Sequence, residues 1–582
     1  MIQAAPTNAL RRLFDSRYGA ADRLIPRWLF LRALALIYFS AFYSLLFQIK
    51  GLIGPTGIMP AREFLAAVTE EMGLLRFWYA PSLYWINSSS AFLMAITWLG
   101  LIASMAALFN LWPRLTFFIC FLCFLSFVTA SSIFSSYQSD GMLLEAGFLA
   151  LFFAPRGLRP GWGADHPPSR ASLYLLQWEW FRIYFESGLV KLLSGDTQWR
   201  DFSAMNEYYQ NGPLPTWIGW YAEHLPHWFH ASSVAATLII ELVVVLMLFL
   251  PRRFRLICFL IVTPWELAVI LTANYAFLNY LVLVLGILLL DDKYLLRIIP
   301  SRFHTSNSQN ICTSLNAPPS PRFLRLRWES TNPSQPQPTT DLGAPGPSYV
   351  GTAETTPHPI SASLQIKKRK RGLTHDLSAI PVAISAFFLL WVGYNTIVLM
   401  LRIPDVPIPT ALLAPVAILD PLRIANQYGL FAVMTRGRYE IEFQGSNDGI
   451  DWTPYPFRNK PQALNEAPRI YAPYQPRFDW NLWFASLGSW EQNQFVPLVE
   501  ERLLSNDASV LSLLRANPFA QSPPRYVRAV LWQYWFTSID EKRKTGNWWR
   551  RQFLGIYAPV LTITPTGSYV EVQQPDPLPE HD

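Results

Sequence analysis

Long apolar windows recur along the first 300 residues and return once near residue 390. A helix needs roughly 20 apolar residues to cross a hydrocarbon core about 30 Å thick. Most of the windows approach that length, although the fourth is short and the fifth is polar. The pattern predicts a polytopic α-helical membrane bundle of about nine spans: 28–49, 91–111, 115–132, 141–153, 172–193, 233–250, 256–271, 275–290 and 379–401.

Basic residues next to the spans predict the orientation of the chain, because cytoplasmic flanks carry an excess of Lys and Arg. With nine spans, the arginine-rich flanks all fall on one side of the membrane. They are Arg11, Arg12, Arg17, Arg23 and Arg27 before the first span, Arg156, Arg159 and Arg170 after the fourth, and Arg252, Arg253 and Arg255 after the sixth. We therefore expect a cytoplasmic N-terminus and a C-terminal region on the opposite side.

The composition agrees with a membrane protein. Hydrophobic residues make up 51% of the 582 residues and charged residues only 15%, against roughly a quarter charged in soluble chains. The formal net charge of +7 follows from the basic cytoplasmic flanks. No nucleic-acid partner is expected, and the lipid bilayer is the first predicted partner.

Two stretches outside the spans differ in composition. Residues 301–377 are rich in Pro, Ser, Thr and Gln and predict a disordered cytoplasmic linker. The predicted organisation is therefore a multi-span membrane domain over 1–300, this linker, a final transmembrane helix over 378–402, and a non-cytoplasmic C-terminal domain over 403–582.

The C-terminal domain shows strand and helix signals. The run RYEIEFQGSNDGIDW alternates apolar and polar residues before an Asn-Asp-Gly turn, and YVRAVLWQYWFT is a second aromatic strand candidate. Two helices are expected between them, ending near Asn517 and Pro518. The pattern favours a mixed, mainly β-sandwich-like soluble domain with a helical insert.

Several runs, in order along the chain, resemble the lipase maturation factor family. They include GLIGPTGIMPAREF, YQSDGMLLEAGFLALFFAPR, SGLVKLLSGDTQWRDFSAMNEYYQNGPLPTW, PLRIANQYGLFAVMTRGRYEIEFQGSNDGIDW, APYQPRFDWNLWFASLG, NPFAQSPPRYVR and TGNWWRR. The resemblance covers nearly the whole chain except the linker.

This resemblance implies a multi-pass membrane protein of the endoplasmic reticulum in animals, whose lumenal C-terminal domain helps secreted lipases fold and assemble. Client lipases or hydrolases are therefore the expected protein partners, and no cofactor is implied. The sequence departs from the family in its long linker and in lacking a retrieval signal after PDPLPEHD. In a bacterium, such a protein would reside in the cytoplasmic membrane.

Charged and amide side chains inside the predicted spans or just beside their ends are the first candidate site. A charge at a helix centre costs about 2.5 to 3.5 kcal/mol on insertion scales, so such residues mark function by default. The candidate intramembrane polar cluster comprises Arg32, Gln138, Asp140, Glu145, Glu179, Arg182, Glu186, Glu241, Glu266, Asn274 and Asn279.

Two interpretations of these charges stay open at this stage. Glu179, Arg182 and Glu186 share one helix face through i,i+3 and i,i+4 spacing and would partly neutralise one another. In the first interpretation, they are buried pairs that fix the register of the helices. The alternative is a polar cavity within the membrane. Lys191 points away from that face and is expected to extend to the outer interface.

Lys191 also supports a different hypothesis. The segment YFESGLVKLLSGDTQW resembles a helix of the vitamin K-dependent carboxylases and their horizontally transferred transmembrane relatives. That resemblance aligns Lys191 with the lysine that those enzymes use as a base. The alternative function is thus a membrane-embedded carboxylase-like enzyme with Lys191 as its single catalytic candidate, whereas the main prediction is a protein that is not an enzyme.

The C-terminal domain holds the candidate client-binding residues. Adaptable apolar and aromatic patches suit a folding client better than a catalytic set. The candidates are Tyr471, Tyr474, Phe478, Trp480, Trp483, Trp548 and Trp549. No metal site is expected, because the EHxxHxxH run at Glu223, His224, His227 and His230 is interrupted by Pro226 and spreads its imidazoles around a helix.

Overall fold

The computed structural model describes residues 11–135, 137–298, 380–402 and 406–577. Two compact units divide the chain: residues 1–299 with 382–582, and residues 300–381. Every contact described below lies within the first unit. The predicted linker, 301–377, lies outside the described residues.

The described N-terminal part is almost entirely helical. Its helices are α1 (Leu24–Leu46), α2 (Ile49–Ile53), α3 (Ala61–Met72), α4 (Arg76–Tyr79), α5 (Ser90–Leu108), α6 (Pro113–Ala130), α7 (Gln138–Phe153), α8 (Arg170–Leu193), α9 (Thr197–Arg200), α10 (Tyr208–Asn211), α11 (Trp217–Glu223), α12 (His227–Leu242), α13 (Arg252–Thr272), α14 (Leu278–Gly286) and α15 (Asp292–Ile298). The helix α16 (Ile380–Met400) follows the undescribed stretch.

Six helices in the described residues are long and apolar enough to cross a membrane. They are α1, α5, α6, α12 with its 3-10 continuation to Phe249, α13, and α16. The other three predicted spans are also helical, but α7 has 16 residues, α8 is rich in charge, and α14 has nine residues before a short 3-10 turn. The predicted count of nine spans is therefore not confirmed.

Local sequence explains where the long helices begin. The Ser89 hydroxyl accepts from the Phe92 backbone N–H at the start of α5, and the Ser169 hydroxyl accepts from Ser172 at the start of α8. Such caps satisfy N–H groups that lack a partner in the first turn. Pro113 opens α6 at its first turn, where the missing N–H of proline costs nothing.

Small residues let the bundle helices approach closely. Helix α1 packs against α5, α6 lies between α5 and α7, and α8 contacts α7, α12 and α14. A Cβ at Gly147 of α7 would lie 1.9 Å from the phenolic oxygen of Tyr38 on α1, so only glycine fits. Tyr38 donates to the Leu143 carbonyl at 3.0 Å and ties the two helices together.

The C-terminal domain is built on one antiparallel sheet. Its strands are β1 (Arg438–Ser446), β2 (Thr453–Pro454), β3 (Tyr526–Phe536), β4 (Trp549–Ile556), β5 (Val560–Ile563) and β6 (Tyr569–Gln573). The order is β2-β1-β3-β5-β6, and β4 pairs with the other end of β3 beside β5. The predicted strands 438–443 and 526–536 are thus confirmed as the two central, paired strands.

Helices, not a second sheet, cover the apolar face of this sheet. The domain's helices are α17 (Thr410–Leu419), α18 (Arg477–Ala485), α19 (Phe495–Leu504), α20 (Ala508–Leu511) and α21 (Ile539–Thr545). Ile441 and Leu531 belong to one buried core with Val499 of α19. The β-sandwich expectation is therefore wrong: the helices inserted between β2 and β3 supply the second layer. The two predicted helices exist as α19 and α20, although they end before Asn517.

Candidate functional site

One stretch of the C-terminal domain enters the polar end of the bundle. We call residues 424–435, which precede β1, the docking segment. Its backbone and side chains bond to α7, α8 and the turns that follow α8. Because buried backbone groups must find partners, these bonds account for much of the polarity that the sequence shows inside its spans.

The Glu145 carboxylate is the hub of the first set of contacts. It accepts from the Asn426 backbone N–H at 3.1 Å and from the Tyr428 hydroxyl at 2.9 Å. Arg182 forms a buried ion pair with Glu145 and donates to the Asn426 carbonyl at 2.5 Å. The Arg182 guanidinium also lies 5.0 Å from the Tyr428 ring centre. One arginine thereby neutralises an acid on α7 and holds the docking segment.

Neighbouring residues continue this contact along the segment. Glu186 accepts from the Tyr428 backbone N–H at 2.6 Å, and the Gln138 side-chain oxygen accepts from the Gly429 N–H at 3.0 Å. The closest Arg182 to Glu186 approach is 3.9 Å. The expectation that α8 neutralises its own charges is therefore corrected: the main partners of Arg182 and Glu186 lie on α7 and in the docking segment.

Lys191 occupies a different environment from the one expected. Only 2% of Lys191 is exposed, and its ammonium lies 2.9 Å from the Glu241 carboxylate of α12. It also donates to the Leu430 carbonyl of the docking segment at 3.1 Å. The expected extension to the interface is therefore wrong, because an acid on the next helix compensates the charge inside the protein.

Asp140 is paired with a residue outside the spans. Arg477, in the first turn of α18, donates to both Asp140 oxygens at 2.7 and 2.8 Å, and neither residue is exposed. A third bond runs from Arg477 to the Phe134 carbonyl at 2.7 Å. Such two-pronged arginine–carboxylate pairs fix orientation as well as charge.

Asn274 joins the stretch before α18 to the bundle. Its side-chain oxygen accepts from the Tyr471 backbone N–H at 2.7 Å, and its amide donates to the Arg469 carbonyl at 2.7 Å. Gln48, in the turn after α1, also joins this stretch to the bundle, because its side-chain amide donates to the Gln475 carbonyl at 2.9 Å. The docking segment and the stretch before α18 therefore bind the same end of the bundle.

The other predicted cluster members stay within the bundle. Glu266 of α13 accepts from the Tyr184 hydroxyl at 2.6 Å, and Asn279 lies near it in a small cavity. Among the described residues, the Glu179 carboxylate and the Arg32 guanidinium have no hydrogen-bond partner. The Arg32 guanidinium lies 5.7 Å from the Trp28 ring centre.

Several site residues were not singled out from the sequence. Besides Arg477, they are Asn426, Tyr428, Asp196, Trp199, Gln210 and Arg438, which bond across the same junction. A signal existed, since five acids but only three bases lie in the predicted spans. A surplus of buried acid requires cations or N–H donors from elsewhere in the chain.

The aromatic candidates fall into three environments. Phe478 and Trp549 are buried in the domain, while Tyr474 contacts Tyr43 of α1. Trp480 and Trp483 face the bundle and line a cavity. Tyr471, beside Asn274, and Trp548, on an outer surface, are half-buried, as Tyr474 is. Their client-binding role stays a prediction.

Two of the cavities at the junction are lined by the tryptophans of α18 or by Lys191. The larger, of about 710 Å³, lies between the docking segment, α18 and the ends of α7 and α14. The smaller, of about 240 Å³, lies inside the bundle beside Lys191, Glu241, Glu266 and Asn279. The polar intramembrane cavity expected from the sequence thus has a counterpart, although Gln138 lines the larger cavity and Asp140 lines neither.

The histidine run contacts its immediate surroundings. The two ring nitrogens of His224 lie 2.7 Å from the Trp220 carbonyl and 3.0 Å from the Thr537 carbonyl of the C-terminal domain. Pro226 caps α12 and separates His224 from His227. No group of three or more His, Cys, Asp or Glu that could hold a metal ion occurs in the part of the chain that the structure describes.

Asp479 and Glu223 are two of the acids outside the spans whose pKa is perturbed. Burial raises the pKa of Asp479 in α18 to about 6, although the Asn459 amide bonds its carboxylate at 2.9 Å. Burial also raises the pKa of Glu223 in α11 to about 9. Both effects come from taking a carboxylate out of water.

Together, these contacts define a class: a multi-pass membrane protein whose extramembrane sheet domain is bonded onto the polar end of its own helical bundle. Both the helical bundle and the sheet domain match known protein families. The lipase maturation factor transmembrane domain matches residues 25–297, and the lipase maturation factor C-terminal domain matches residues 424–559. The second match begins at the first residue of the docking segment.

Full-length relatives extend the agreement along the chain. Lipase maturation factor 2 of Homo sapiens is 32% identical over 611 residues, which cover 93% of this chain and 83% of that protein. Lipase maturation factor 1 of Bos taurus is 30% identical over 586 residues, with 97% and 94% covered. No solved structure matches the chain. The chain belongs to the lipase maturation factor family.

Proposed function

We propose that this protein assists the folding, assembly or secretion of client lipases or hydrolases through an externally facing C-terminal domain, without catalysing a reaction itself. The carrying observation is the set of buried bonds that fixes this domain on the bundle. A rigidly mounted domain presents the same surface to every client at a fixed height above the membrane.

The orientation rests on the two ends of α1. At one end, Arg23 donates to the Leu288 and Leu290 carbonyls, next to the arginines that favour the cytoplasm. At the other end, Gln48 bonds the C-terminal domain. Because these two contacts lie at opposite ends of α1, we infer that the domain faces outside: into the endoplasmic reticulum lumen of an animal cell, or beyond the cytoplasmic membrane of a bacterium.

Lys191 is not assigned a catalytic role in this proposal. A base must be free to take up a proton, and the Lys191 ammonium is held by Glu241 at 2.9 Å and by a backbone carbonyl at 3.1 Å. Its contacts support a positioning role for the docking segment, shared with Arg182.

The proposed client surface, which we call the outer aromatic surface, is formed by Trp548 of the C-terminal domain together with Trp217 and Tyr221 of the adjoining helix α11. Trp217 is 44% exposed and Tyr221 is 51% exposed. The Trp548 ring contacts Tyr221 with 6.4 Å between centres, and the Lys542 ammonium lies 3.8 Å from the Trp548 ring centre. Exposed aromatic rings beside a cation suit an apolar, adaptable partner.

The test compares a double variant with a matched control. In cells that secrete a lipase client, Tyr221→Ala with Trp548→Ala should lower active secreted lipase about tenfold, as expected for the loss of a central contact. The control, Trp535→Ala, removes another half-buried tryptophan that contacts Arg550 on the sheet and should leave secretion unchanged.

Membrane insertion and the amount of each variant are measured in parallel by protease protection of intact membranes. Equal secretion from the double variant and the control, at equal protein levels, would refute the assigned surface. Equal losses in both variants would instead indicate a general loss of domain stability and would also count against it.

A further inference from the structure

The connection between α1 and α5 exposes a run of large apolar side chains. We call residues 74–79, which follow α3, the apolar segment. Leu74 is 86% exposed. The other exposed apolar members are Leu75, Phe77, Trp78 and Tyr79. Five of the six residues thus present apolar surface away from the protein, and such surface marks a site of interaction.

The protein holds the apolar segment in this exposed conformation. Helix α3 ends at Gly73, whose φ of 53° and ψ of -124° suit glycine and few other residues. After the segment, the Trp85 indole N–H donates to the Ala80 carbonyl at 2.7 Å, and the Trp85 ring centre lies 5.5 Å from that of Phe77. Local contacts therefore fix the turn on both sides of the segment.

Bonds to α6 set the depth of the stretch that follows. The Ser82 hydroxyl donates to the Ser126 carbonyl at 3.1 Å, and the Leu83 backbone N–H donates to the Ser126 hydroxyl at 2.9 Å. The Thr129 hydroxyl donates to the Pro81 carbonyl at 3.2 Å. Ser126 and Thr129 lie close to the C-terminal end of α6. Residues 81–83 therefore lie beside that end of the helix.

The end of α6 coincides with the edge of the hydrocarbon layer. Its 18 residues span about 27 Å at a rise of about 1.5 Å per residue, and the hydrocarbon core is about 30 Å thick. The turn after α6 holds Phe134, whose carbonyl accepts from Arg477 of the C-terminal domain, so this is the outer end. Because an extended chain covers at most about 3.6 Å per residue, Tyr79 lies within about 7 Å of Pro81. The apolar segment is thus confined to the neighbourhood of the outer lipid headgroups.

The residue types suit that depth. Tryptophan and tyrosine are enriched where lipid headgroups meet acyl chains. The single charge of the segment, Arg76, lies 4.7 Å from the Phe77 ring centre and 5.4 Å from that of Trp85, and aromatic faces attract such a cation. The preceding helix α3 instead exposes Arg62, Glu63, Glu70 and Glu71. An apolar turn next to a charged helix is typical of an element that lies in a membrane surface.

We propose that the apolar segment inserts into the outer leaflet, between the headgroups and the acyl chains, and anchors the end of the bundle that carries the C-terminal domain. The same connection also contacts that domain. Arg502 of α19 donates to the Gly57 carbonyl at 3.0 Å, and helix α2 packs against α20. Insertion would therefore couple the position of the C-terminal domain to the membrane surface.

A second copy of the chain and a folding client are the less favoured occupants. Exposed apolar residues continue from the segment through Ile86 onto α5, where Trp98 and Ile102 are exposed. Lipid surrounds a membrane-spanning helix such as α5, so the same environment extends to the segment. The proposal goes beyond client binding and uses none of the residues of the outer aromatic surface.

The test measures the depth of a nitroxide spin label on the full chain, reconstituted in phosphatidylcholine vesicles. Cys312→Ser leaves only the three cysteines that are buried in the bundle. Leu74→Cys carries the label, and Ile450→Cys, in the turn between β1 and β2 and 81% exposed, is the matched control. At residue 74 we expect more collisions with oxygen, which concentrates in lipid, than with a water-soluble nickel chelate. At residue 450 we expect the reverse.

A double substitution tests the cause of insertion. With the label at Tyr79→Cys, Leu74→Asp and Leu75→Asp together should lower the inserted population more than tenfold, because burial of one leucine side chain alone is worth about tenfold or more. The thermal unfolding midpoint in detergent should stay unchanged, since both leucines are exposed in the folded protein.

The outcomes separate lipid from the other occupants. More nickel than oxygen collisions at residue 74, the same behaviour at residues 74 and 450, or unchanged insertion of the double variant would overturn the proposal. Spin–spin broadening that disappears on dilution with unlabelled protein would show that a second copy covers the segment. Protection from nickel that requires added lipase would show that a client does. A lowered unfolding midpoint of the double variant would show that the segment packs on the protein, and each of these three results would also overturn the proposal.

Discussion

Helices α8 and α13 belong to the same bundle but differ in what surrounds them. Helix α13 is apolar, and only 22% of its most apolar window is buried within the protein. Helix α8 carries Glu179, Arg182, Glu186 and Lys191, all of them buried. Hydropathy identifies the helix that faces lipid and misses the helix that faces protein. The charges of α8 are tolerated because other protein groups, not lipid, surround them.

The strongest test of this difference removes the central cation of α8. Arg182→Leu leaves Glu145 and Glu186 buried without their arginine and removes the bond to Asn426. Loss of one partner of a buried pair costs about 3 to 5 kcal/mol. We expect a lower thermal unfolding midpoint in detergent and faster proteolysis of the C-terminal domain. An unchanged midpoint would contradict the role of Arg182 as the hub of docking.

Variants of Lys191 and Glu241 test whether the fold requires this buried ion pair or only the absence of an unpaired buried charge. Lys191→Met should destabilise the protein by about 3 kcal/mol, because Glu241 remains buried alone. The double variant Lys191→Met with Glu241→Gln should recover most of that loss, as neutral replacements of buried pairs often do. Thermal unfolding of the two single variants and the double variant measures the coupling. If the double variant lost as much stability as the two single variants together, the ion pair between Lys191 and Glu241 would be contradicted.

Asp479 extends the comparison to a buried acid outside the membrane. Its folded pKa of about 6 lies above the ordinary value of 3.8, so the folded state binds more protons and its stability rises as the pH falls from 7 to 5. The gain is about 1 kcal/mol by proton linkage. Asp479→Asn should lower this pH dependence. Equal slopes for both proteins in thermal unfolding at pH 7, 6 and 5 would refute the assignment.

The smallest change in stability is expected from a substitution on the exposed face of α13. Leu260 is 59% exposed and faces the lipid side of its helix, so Leu260→Ala removes few protein contacts. We expect a change within about 0.5 kcal/mol. The matched change inside the bundle, Leu176→Ala at a fully buried position of α8, should cost about 2 to 5 kcal/mol. Similar unfolding midpoints for the two variants would remove the distinction between the helices.

Much of the architecture followed from apolar periodicity and turn chemistry. All nine apolar windows are helical, and the strands over 438–443 and 526–536 pair as neighbours. The sandwich expectation failed because strand patterns show that one face is buried but not what buries it. Here the insert between β2 and β3 returns as helices onto that face.

The candidate site was predictable in composition but not in pairing. The polar cluster was found because charges in apolar windows stand out, and the clearest example is Glu145. Its partners Asn426 and Tyr428 are more than 280 residues away in sequence, and spacing along one helix contains no information about them. Helix-face reasoning on α8 therefore favoured the local Arg182–Glu186 pair over the shorter contact between helices.

The long sequence separation of the junction contacts affects the order of biosynthesis. Asp140 and its partner Arg477 are 337 residues apart, so a ribosome finishes most of the membrane helices before the cation for Asp140 exists. Until the C-terminal domain is translated and docks, Asp140 lacks its cation, and Glu145 and Glu186 have Arg182 but lack the Tyr428 donors. A prematurely terminated product would therefore present the unpaired Asp140 carboxylate to any quality-control factor within the membrane.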